Sequence, residues 1–261
     1  MYWIYVIPTE QLALLITGGA VLFAWIGYIV VRPFLRVFVR ARSASNDTIG
    51  YVLSCFGVFY GLLLGLTAVA AYSNYGDADY AVIREAAALG ALYRNVAKYP
   101  EPHGQNLRWL LREYCRYVIK HVWPAHQKGQ IPTGGETRIE AFHERLLAFA
   151  PSNASEEILH AESLRQFNVF LEQRRLRHHA VTAGMPAVMW FVLIVGTVIN
   201  IVLVWLFDMR FSAHLLLGGL LAFFLGTMIF LIAAMDNPFR GAVSIGPEPF
   251  RAIYRIMMED Y

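Results

Sequence analysis

The chain has 261 residues, of which 57% are hydrophobic and only 16% charged, against about 25% charged in an ordinary soluble protein. Its formal net charge of +3 is too small for electrostatic capture of nucleic acid. Its length suffices for one membrane unit and one modest water-facing layer, not for two enzymatic domains.

Four stretches contain no Asp, Glu, Lys or Arg: Leu12–Val31, Ile49–Tyr72, Val181–Phe207 and Leu215–Met235. Each is long enough to cross a bilayer, for which a helix needs about 20 apolar residues. The pattern predicts an all-α protein in which four transmembrane helices, in two pairs, flank a helical water-facing middle domain. Residues 9–31 are expected to form the first transmembrane helix. The opening Met1-Tyr2-Trp3-Ile4-Tyr5 has no basic n-region or small-residue cleavage site, so this helix is expected to be retained rather than removed as a signal peptide. Trp3, Tyr5, Trp25 and Tyr28 suit interfacial anchoring.

In the linker 32–48, Arg32, Arg36 and Arg40 recur every four residues and share one helical face. They predict a short basic amphipathic helix on an anionic membrane surface; an arginine-rich stop to the first span accounts for the same residues equally well. The second span, 49–72, carries Gly57, Gly61 and Gly65 on one stripe, where absent side chains let another helix approach closely. That helix could belong to the same chain or to a neighbouring subunit around a pore. Ser54, Tyr60 and Thr67 are its polar groups.

The middle block, 73–180, holds 14 Lys/Arg against 12 Asp/Glu, a balance expected of a solvated face. Val82, Ala86, Leu89, Tyr93 and Val96 recur at helical spacing, and no strong breaker separates this helix from the second span. Pro100 and Pro102 end it. Leu107, Leu110, Leu111, Tyr114, Val118 and Val122 predict a helix reaching Trp123-Pro124. After the turn-rich 129–135, Ile139, Phe142, Leu146 and Phe149 predict a shorter one. Ser155 is the expected N-cap of the last helix, which ends in the basic cluster Arg174, Arg175, Arg177, His178 and His179.

The third span, 181–207, contains Asn200 near its centre, where an amide needs a partner helix or water. The fourth, 213–235, repeats the small-residue device with Gly218, Ala222 and Gly226. Beyond it, Pro238, Pro247 and Pro249 with Gly241 and Gly246 predict a turn-rich strap over 236–261, anchored by Phe239 and Phe250. Arginines balance on the two sides of the membrane: five with the first linker and Arg210, against six from Arg174, Arg175, Arg177, Arg240, Arg251 and Arg255. Charge therefore sets no orientation.

No span has an ionisable residue at its midplane, which argues against a proton-coupled transporter but not against a channel with an apolar constriction. Adjacent His178 and His179 point about 100° apart on a helix and make poor joint metal ligands. The cysteines Cys55 and Cys115 lack metal-type spacing, and no nucleophile elbow, phosphate loop or metalloprotease motif occurs. The expectation is a protein that is not an enzyme and has no cofactor or metal.

Asn46-Asp47, the run from Phe56 to Leu64, Arg84-Glu85-Ala86-Ala87-Ala88-Leu89, Leu92-Tyr93-Arg94 and Trp123-Pro124 follow one another along the chain, and near its end stand Asn237-Pro238-Phe239-Arg240-Gly241 and Pro247-Glu248-Pro249-Phe250. On these motifs, running in order along nearly the whole chain, residues 47–100 and 236–250 resemble the bestrophin-like family of bacterial membrane proteins, a domain of unknown function remotely related to bestrophin anion channels. The resemblance implies a homo-oligomeric ion channel in a bacterial plasma (inner) membrane, with cytosolic termini and a vestibule of middle helices. The second span would line the pore, with Phe56, Tyr60, Leu63 and Leu64 as constriction candidates. The sequence has no dense acidic cluster near its C-terminus to form a calcium clasp. A non-conducting scaffold or sensor, whose middle domain binds a protein partner, is the alternative.

Overall fold

A computed structural model describes residues 8–38, 43–241 and 243–259. Helices account for all the regular structure of the described residues. They are α1 (Thr9–Phe38), α2 (Ser43–Val96), α3 (His103–Tyr117), a π-helical turn (Val118–Val122), α4 (Trp123–His126), α5 (Gly134–Leu147), α6 (Ala154–Thr182), α7 (Ala187–Trp205), α8 (Phe211–Met235) and α9 (Glu248–Glu259). The chain divides into two compact units: residues 1–74 with 184–236, and residues 75–183 with 237–261. Because α2 runs unbroken through Gly76, it belongs to both.

In the first unit α1, the leading part of α2, α7 and α8 are the four helices long and apolar enough to span a membrane. They pack through small residues and indole donors rather than through charge. Gly226 of α8 lies against the α1 backbone: a Cβ there would stand 2.9 Å from the Thr17 Cα and 3.3 Å from the Ile16 carbonyl oxygen. The Trp25 indole N–H of α1 donates to the Leu215 carbonyl at 2.9 Å, and Trp205 of α7 donates to Ala24 at 3.0 Å. Tyr28 stacks on His214 with ring centroids 3.6 Å apart. Each indole N–H thus finds a backbone acceptor on a neighbouring helix while its ring packs against apolar surface.

The α2–α7 contact is equally specific. The Tyr60 hydroxyl is 2.6 Å from the Leu193 carbonyl and 2.6 Å from the Thr197 hydroxyl. Its ring covers Gly196, where a Cβ would come within 2.3 Å of it. Asn46 and Asp208 close the same end reciprocally, Asn46 Nδ2 donating to the Asp208 carbonyl (3.0 Å) and Asp208 N–H to Asn46 Oδ1 (2.9 Å).

The second unit is built around Val82, Leu89, Leu92 and Val96 of α2, Leu107, Leu111 and Tyr114 of α3, Ile139, Phe142 and Leu146 of α5, Phe167 and Phe170 of α6, and Met257 of α9, all buried. Pro124, which has no N–H to donate, stands two residues past the π-helical turn, whose wider register carries the Trp123 N–H back to Val118. Such single π turns commonly accommodate a local break in the helical ladder.

The structure changes several expected boundaries. The basic segment after the first span does not form a separate helix up to residue 38, because α1 continues through Pro33 to Phe38. The third membrane helix begins at Ala187, six residues later than the charge-free stretch, because Gly184 and Pro186 interrupt the backbone. There the Met185 N–H donates to Asp236 Oδ1 at 2.6 Å. The N-cap of α6 is Asn153, not Ser155: Asn153 Oδ1 accepts from the Glu156 N–H (3.0 Å), and Glu156 Oε2 accepts from the Ser152 N–H (2.8 Å), a capping-box arrangement. The C-terminal strap is irregular only as far as Pro247. Pro249 falls in the first turn of α9, where a missing N–H costs nothing, and the segment then stays helical to Glu259.

Replacing Gly196 by Leu should drive the Tyr60 ring off α7. Overpacking of this kind costs about 1–3 kcal/mol, and a clear drop in the melting temperature of the detergent-solubilised protein is expected. An unchanged melting curve would contradict the packing described.

Candidate functional site

Two features of the structure bear on function, one in each unit. The first is the surface of α2 within its membrane-spanning part. Tyr60, Leu64, Thr67 and Ala71 form a narrow buried seam at three- and four-residue spacing. Most of the remaining circumference is bare: Val58, Phe59, Leu62, Leu66 and Val69 are all more than 60% exposed. Gly61 follows Tyr60 and therefore lies about 100° round the helix. No atom lies within 4 Å of where a Cβ would stand at Gly57, Gly61 or Gly65.

The candidate residues therefore fall into two groups rather than one site. Phe56, Gly57 and Gly61 are exposed, Gly65 and Leu63 are half-buried, and Tyr60 and Leu64 point into the unit's own core. Among the described residues, no other helix packs on the glycine stripe of the second span. That of the fourth span is covered: Gly226 meets α1, and a Cβ at Gly218 would stand 3.7 Å from Val204 of α7. Asn200 is buried, yet its Nδ2 donates to the Gly196 carbonyl one turn back in its own helix (2.8 Å), not to a partner helix. Arg32 places its guanidinium 4.8 Å from the Phe211 ring centroid and 5.9 Å from that of Tyr28, a cation–π seat. Arg36 lies on the continuation of α1, and Arg40 is outside the described residues.

The second feature is a charge network sealed inside the other unit. Glu85 of α2 and Arg177 of α6 have no solvent exposure. They meet in a bidentate pair, Nε to Oε2 at 2.5 Å and Nη2 to Oε1 at 3.0 Å. The Tyr114 hydroxyl donates to Glu85 Oε1 at 2.9 Å. The remaining guanidinium nitrogen, Nη1, lies 3.2 Å from Nδ1 and 3.3 Å from Nε2 of His126. Trp123 and Phe250 stand over the guanidinium, each ring centroid 5.8 Å from its Cζ. Phe239 closes on Trp123 and His126 at 5.9 and 5.4 Å. The Trp123 N–H donates to the Ile245 carbonyl.

Electrostatics follow from this enclosure. Burial opposes the Arg177 charge, but the Glu85 carboxylate more than compensates and holds its pKa above the ordinary value. Burial, reinforced by Glu85, pushes the Tyr114 hydroxyl far up and the Cys115 thiol up to about 12. Burial and the neighbouring Arg177 lower His126 to about 2 and His178 to about 3. A neutral His126 can thus accept from Arg177 throughout the physiological range. With the Tyr114 hydroxyl and Cys115 thiol held protonated and His126 held neutral, the network has the character of a structural lock. No group of three His, Cys, Asp or Glu side chains suited to a metal occurs among the described residues.

Sequence reasoning missed this pair. Its signal lies in interrupted periodicity: Glu85 falls in the apolar stripe of Val82, Ala86 and Leu89, and Arg174 and Arg177 continue that of Phe167 and Phe170. The basic cluster before the third span looks like a membrane flank, but it sends Arg177 into the core and Arg174 to Glu136 (2.9 Å).

Four apolar helices around small-residue contacts, with a charge-locked helical unit, define an integral membrane protein. A family model for the Bestrophin-like domain matches residues 18–250, and the chain belongs to the bestrophin-like family. No curated protein matches it by sequence. A solved structure of a bacterial Bestrophin homologue from Klebsiella pneumoniae is 13% identical, with a TM-score of 0.69 over 94% of this chain and 96% of that one. A point variant of that homologue is 15% identical, with a TM-score of 0.65 over 94% and 99%. Another solved membrane protein gives 12%, 0.67, 93% and 96%. These likenesses establish a shared fold.

Replacing Glu85 by Ala leaves Arg177 buried and unpaired, a loss of about 3–5 kcal/mol. Chemical denaturation should show it, and Glu85→Leu combined with Arg177→Met should recover much of it. Stability should also fall as pH drops from 7 towards 4. Unfolded histidines take up a proton near 6.5, whereas folded His126 and His178 do so only near 2 and 3; the unfolded state then binds more protons and gains from acid. Melting temperature against pH measures this slope, which His126→Gln should flatten.

Proposed function

We propose that the protein is a homo-oligomeric ion channel of a bacterial plasma membrane, in which the exposed side of α2 faces neighbouring subunits and the pore. The observation that carries this reading is the glycine stripe Gly57, Gly61 and Gly65: among the described residues, no other helix comes within 4 Å of where its Cβ atoms would stand. Membership of the bestrophin-like family and the fold shared with a bacterial Bestrophin homologue support it. Close backbone approach is the use that glycine stripes serve between helices in lipid, and on this reading the approaching helix comes from another copy. Of the four constriction candidates, Phe56 has the exposure a pore-facing ring needs and Leu63 part of it. Tyr60 and Leu64 act one step back, fixing α2 against α7. An aromatic and apolar constriction gates by excluding water rather than by binding an ion, in keeping with spans that carry no charge at the midplane.

Two measurements test the proposal. Purified protein in planar bilayers should conduct, and silence across varied pH, salts and voltages would overturn the channel. Gly61→Leu should leave the melting temperature of the protomer unchanged while abolishing the oligomer in size-exclusion chromatography. A variant that still assembles would remove the stripe from the interface. A silent protein that captured a stoichiometric, different partner on in-cell crosslinking would instead favour the scaffold.

A further inference from the structure

The corner between α7 and α8 in the first unit leaves several donors unused. α8 begins at Phe211 without a side-chain cap, and the first of its N–H groups to find an acceptor is that of His214, which donates to the Arg210 carbonyl at 3.0 Å. The N–H groups of Phe211, Ser212 and Ala213 bond to nothing among the described residues. Such free amides, at the positive end of a 25-residue helix, favour negative charge.

Two side chains set this turn apart from an ordinary helix start. Arg32 of α1 holds its guanidinium 4.8 Å from the Phe211 ring centroid and 5.9 Å from that of Tyr28. An approach through ring faces leaves the N–H edge of a guanidinium unused, and Arg32 pairs with no carboxylate among the described residues. His214 is only 2% exposed, and neither of its ring nitrogens has a hydrogen-bond partner there. A helical side chain leans towards the N-terminus of its own helix. The His214 ring accordingly lies parallel to Tyr28 at 3.6 Å, and the far neighbour of Tyr28 is Phe211, at 6.1 Å. A buried imidazole without a partner is costly, and this one stands at the turn that carries the free amides. The acidic residue nearest in sequence, Asp208, gives its backbone to Asn46, and its carboxylate forms no ion pair with Arg32 or Arg210.

We propose that the first turn of α8, with Arg32 and His214, binds a phosphate group. The helix start offers backbone N–H donors, the guanidinium offers a planar fork that matches phosphate oxygens, and a neutral imidazole has one N–H to give. The turn joins two apolar spans, which puts it at a bilayer surface, the level of phospholipid phosphates. A bound phosphate would tie the end of α1 to the start of α8 through groups that otherwise bond to nothing. The inference does not rest on the channel reading, because binding is measured directly.

The test titrates dioctanoyl phosphatidylglycerol and, separately, sodium phosphate into the full-length detergent-solubilised protein at constant ionic strength, by native mass spectrometry and thermal shift. Saturable binding with a raised melting temperature is expected. Arg32→Gln should weaken it about tenfold. His214→Phe keeps a ring on Tyr28 but removes both nitrogens, and should weaken it about threefold. Arg251→Gln, an exposed arginine of the second unit, should leave it unchanged. Arg32→Lys serves if Arg32→Gln fails to fold, with a smaller loss expected because the charge stays and the fork is lost. Dioctanoylglycerol has the same chains without the phosphate, and binding of it as tight as that of the phospholipid would overturn the site. So would the absence of saturable binding by either phosphate, or undiminished affinity in the Arg32 and His214 variants. The two titrations distinguish the source. Binding of the lipid that sodium phosphate does not displace identifies a headgroup as the occupant, and displacement at comparable concentration identifies a free phosphate.

Discussion

The structure of the second unit depends on one ion pair. Glu85 and Arg177 are 92 residues apart in sequence and fully buried, and neither charge could be removed from water without the other. A bidentate carboxylate–guanidinium contact tolerates little sliding, so the pair fixes the register of α2 against α6. Everything around it completes its satisfaction. Tyr114 donates a third hydrogen bond to Glu85, His126 faces the third guanidinium nitrogen, and Trp123 and Phe250 cover the planar cation. Partly satisfied, such a network would be worse than an apolar core; fully satisfied, it admits one arrangement. The motifs that carry the family resemblance acquire a physical meaning here. Arg84-Glu85, Trp123-Pro124, Asn237-Pro238-Phe239 and Pro249-Phe250 are scattered along the chain, yet Glu85, Trp123, Phe239 and Phe250 meet around a single guanidinium. The two prolines beside Phe239 and Phe250 fit the same logic, since each presets the backbone near an aromatic that must reach the cluster.

Much of the architecture was legible because the membrane imposes long charge-free runs. Leu12–Val31 and Leu215–Met235 are such runs, and they fall inside α1 and α8. Continuity of α2 was legible too, since Gly76 alone is a weak breaker. Boundaries failed where backbone chemistry is local: Pro186 delays α7, Asn153 rather than Ser155 has the side chain aimed at a free N–H, and Pro249 starts a helix instead of preventing one. The charge lock was hidden because its members are ordinary residues singly. Arg177 beside Arg174 and Arg175 reads as a membrane-flanking cation, and only the partner 92 residues away makes it a core residue. The anchors Phe239 and Phe250 were readable, since bulky aromatics within a turn-rich segment have few other uses.

The two small-residue stripes show why a motif alone does not name its partner. Gly226 and Gly57 occupy similar patterns, but one lies against the backbone of α1 and the other has no neighbouring helix among the described residues. The difference arises from where α2 spends its few packing positions. Its seam through Tyr60, Leu64, Thr67 and Ala71 is one side chain wide, and Tyr60 secures it through two hydrogen bonds of 2.6 Å to α7. Such directional bonds hold the helix with little buried area, which leaves the glycine-bearing shoulder and the large apolar side chains opposite free.

That freedom is not neutral. Each glycine inside a helix costs about 1 kcal/mol relative to alanine, and Gly57, Gly61 and Gly65 return no packing within the protomer. Lipid tails would cover leucine or alanine at these positions as readily, and without that cost, because between apolar helices and apolar lipid no hydrophobic drive exists. A surface that only a glycine shoulder admits, another helix at close backbone distance, would offset that cost. The proposed assembly supplies one, and it places a helix whose far end is locked by Glu85 beside its counterparts in neighbouring subunits. In such a ring the register set by Arg177 would be shared around the pore through α2 itself.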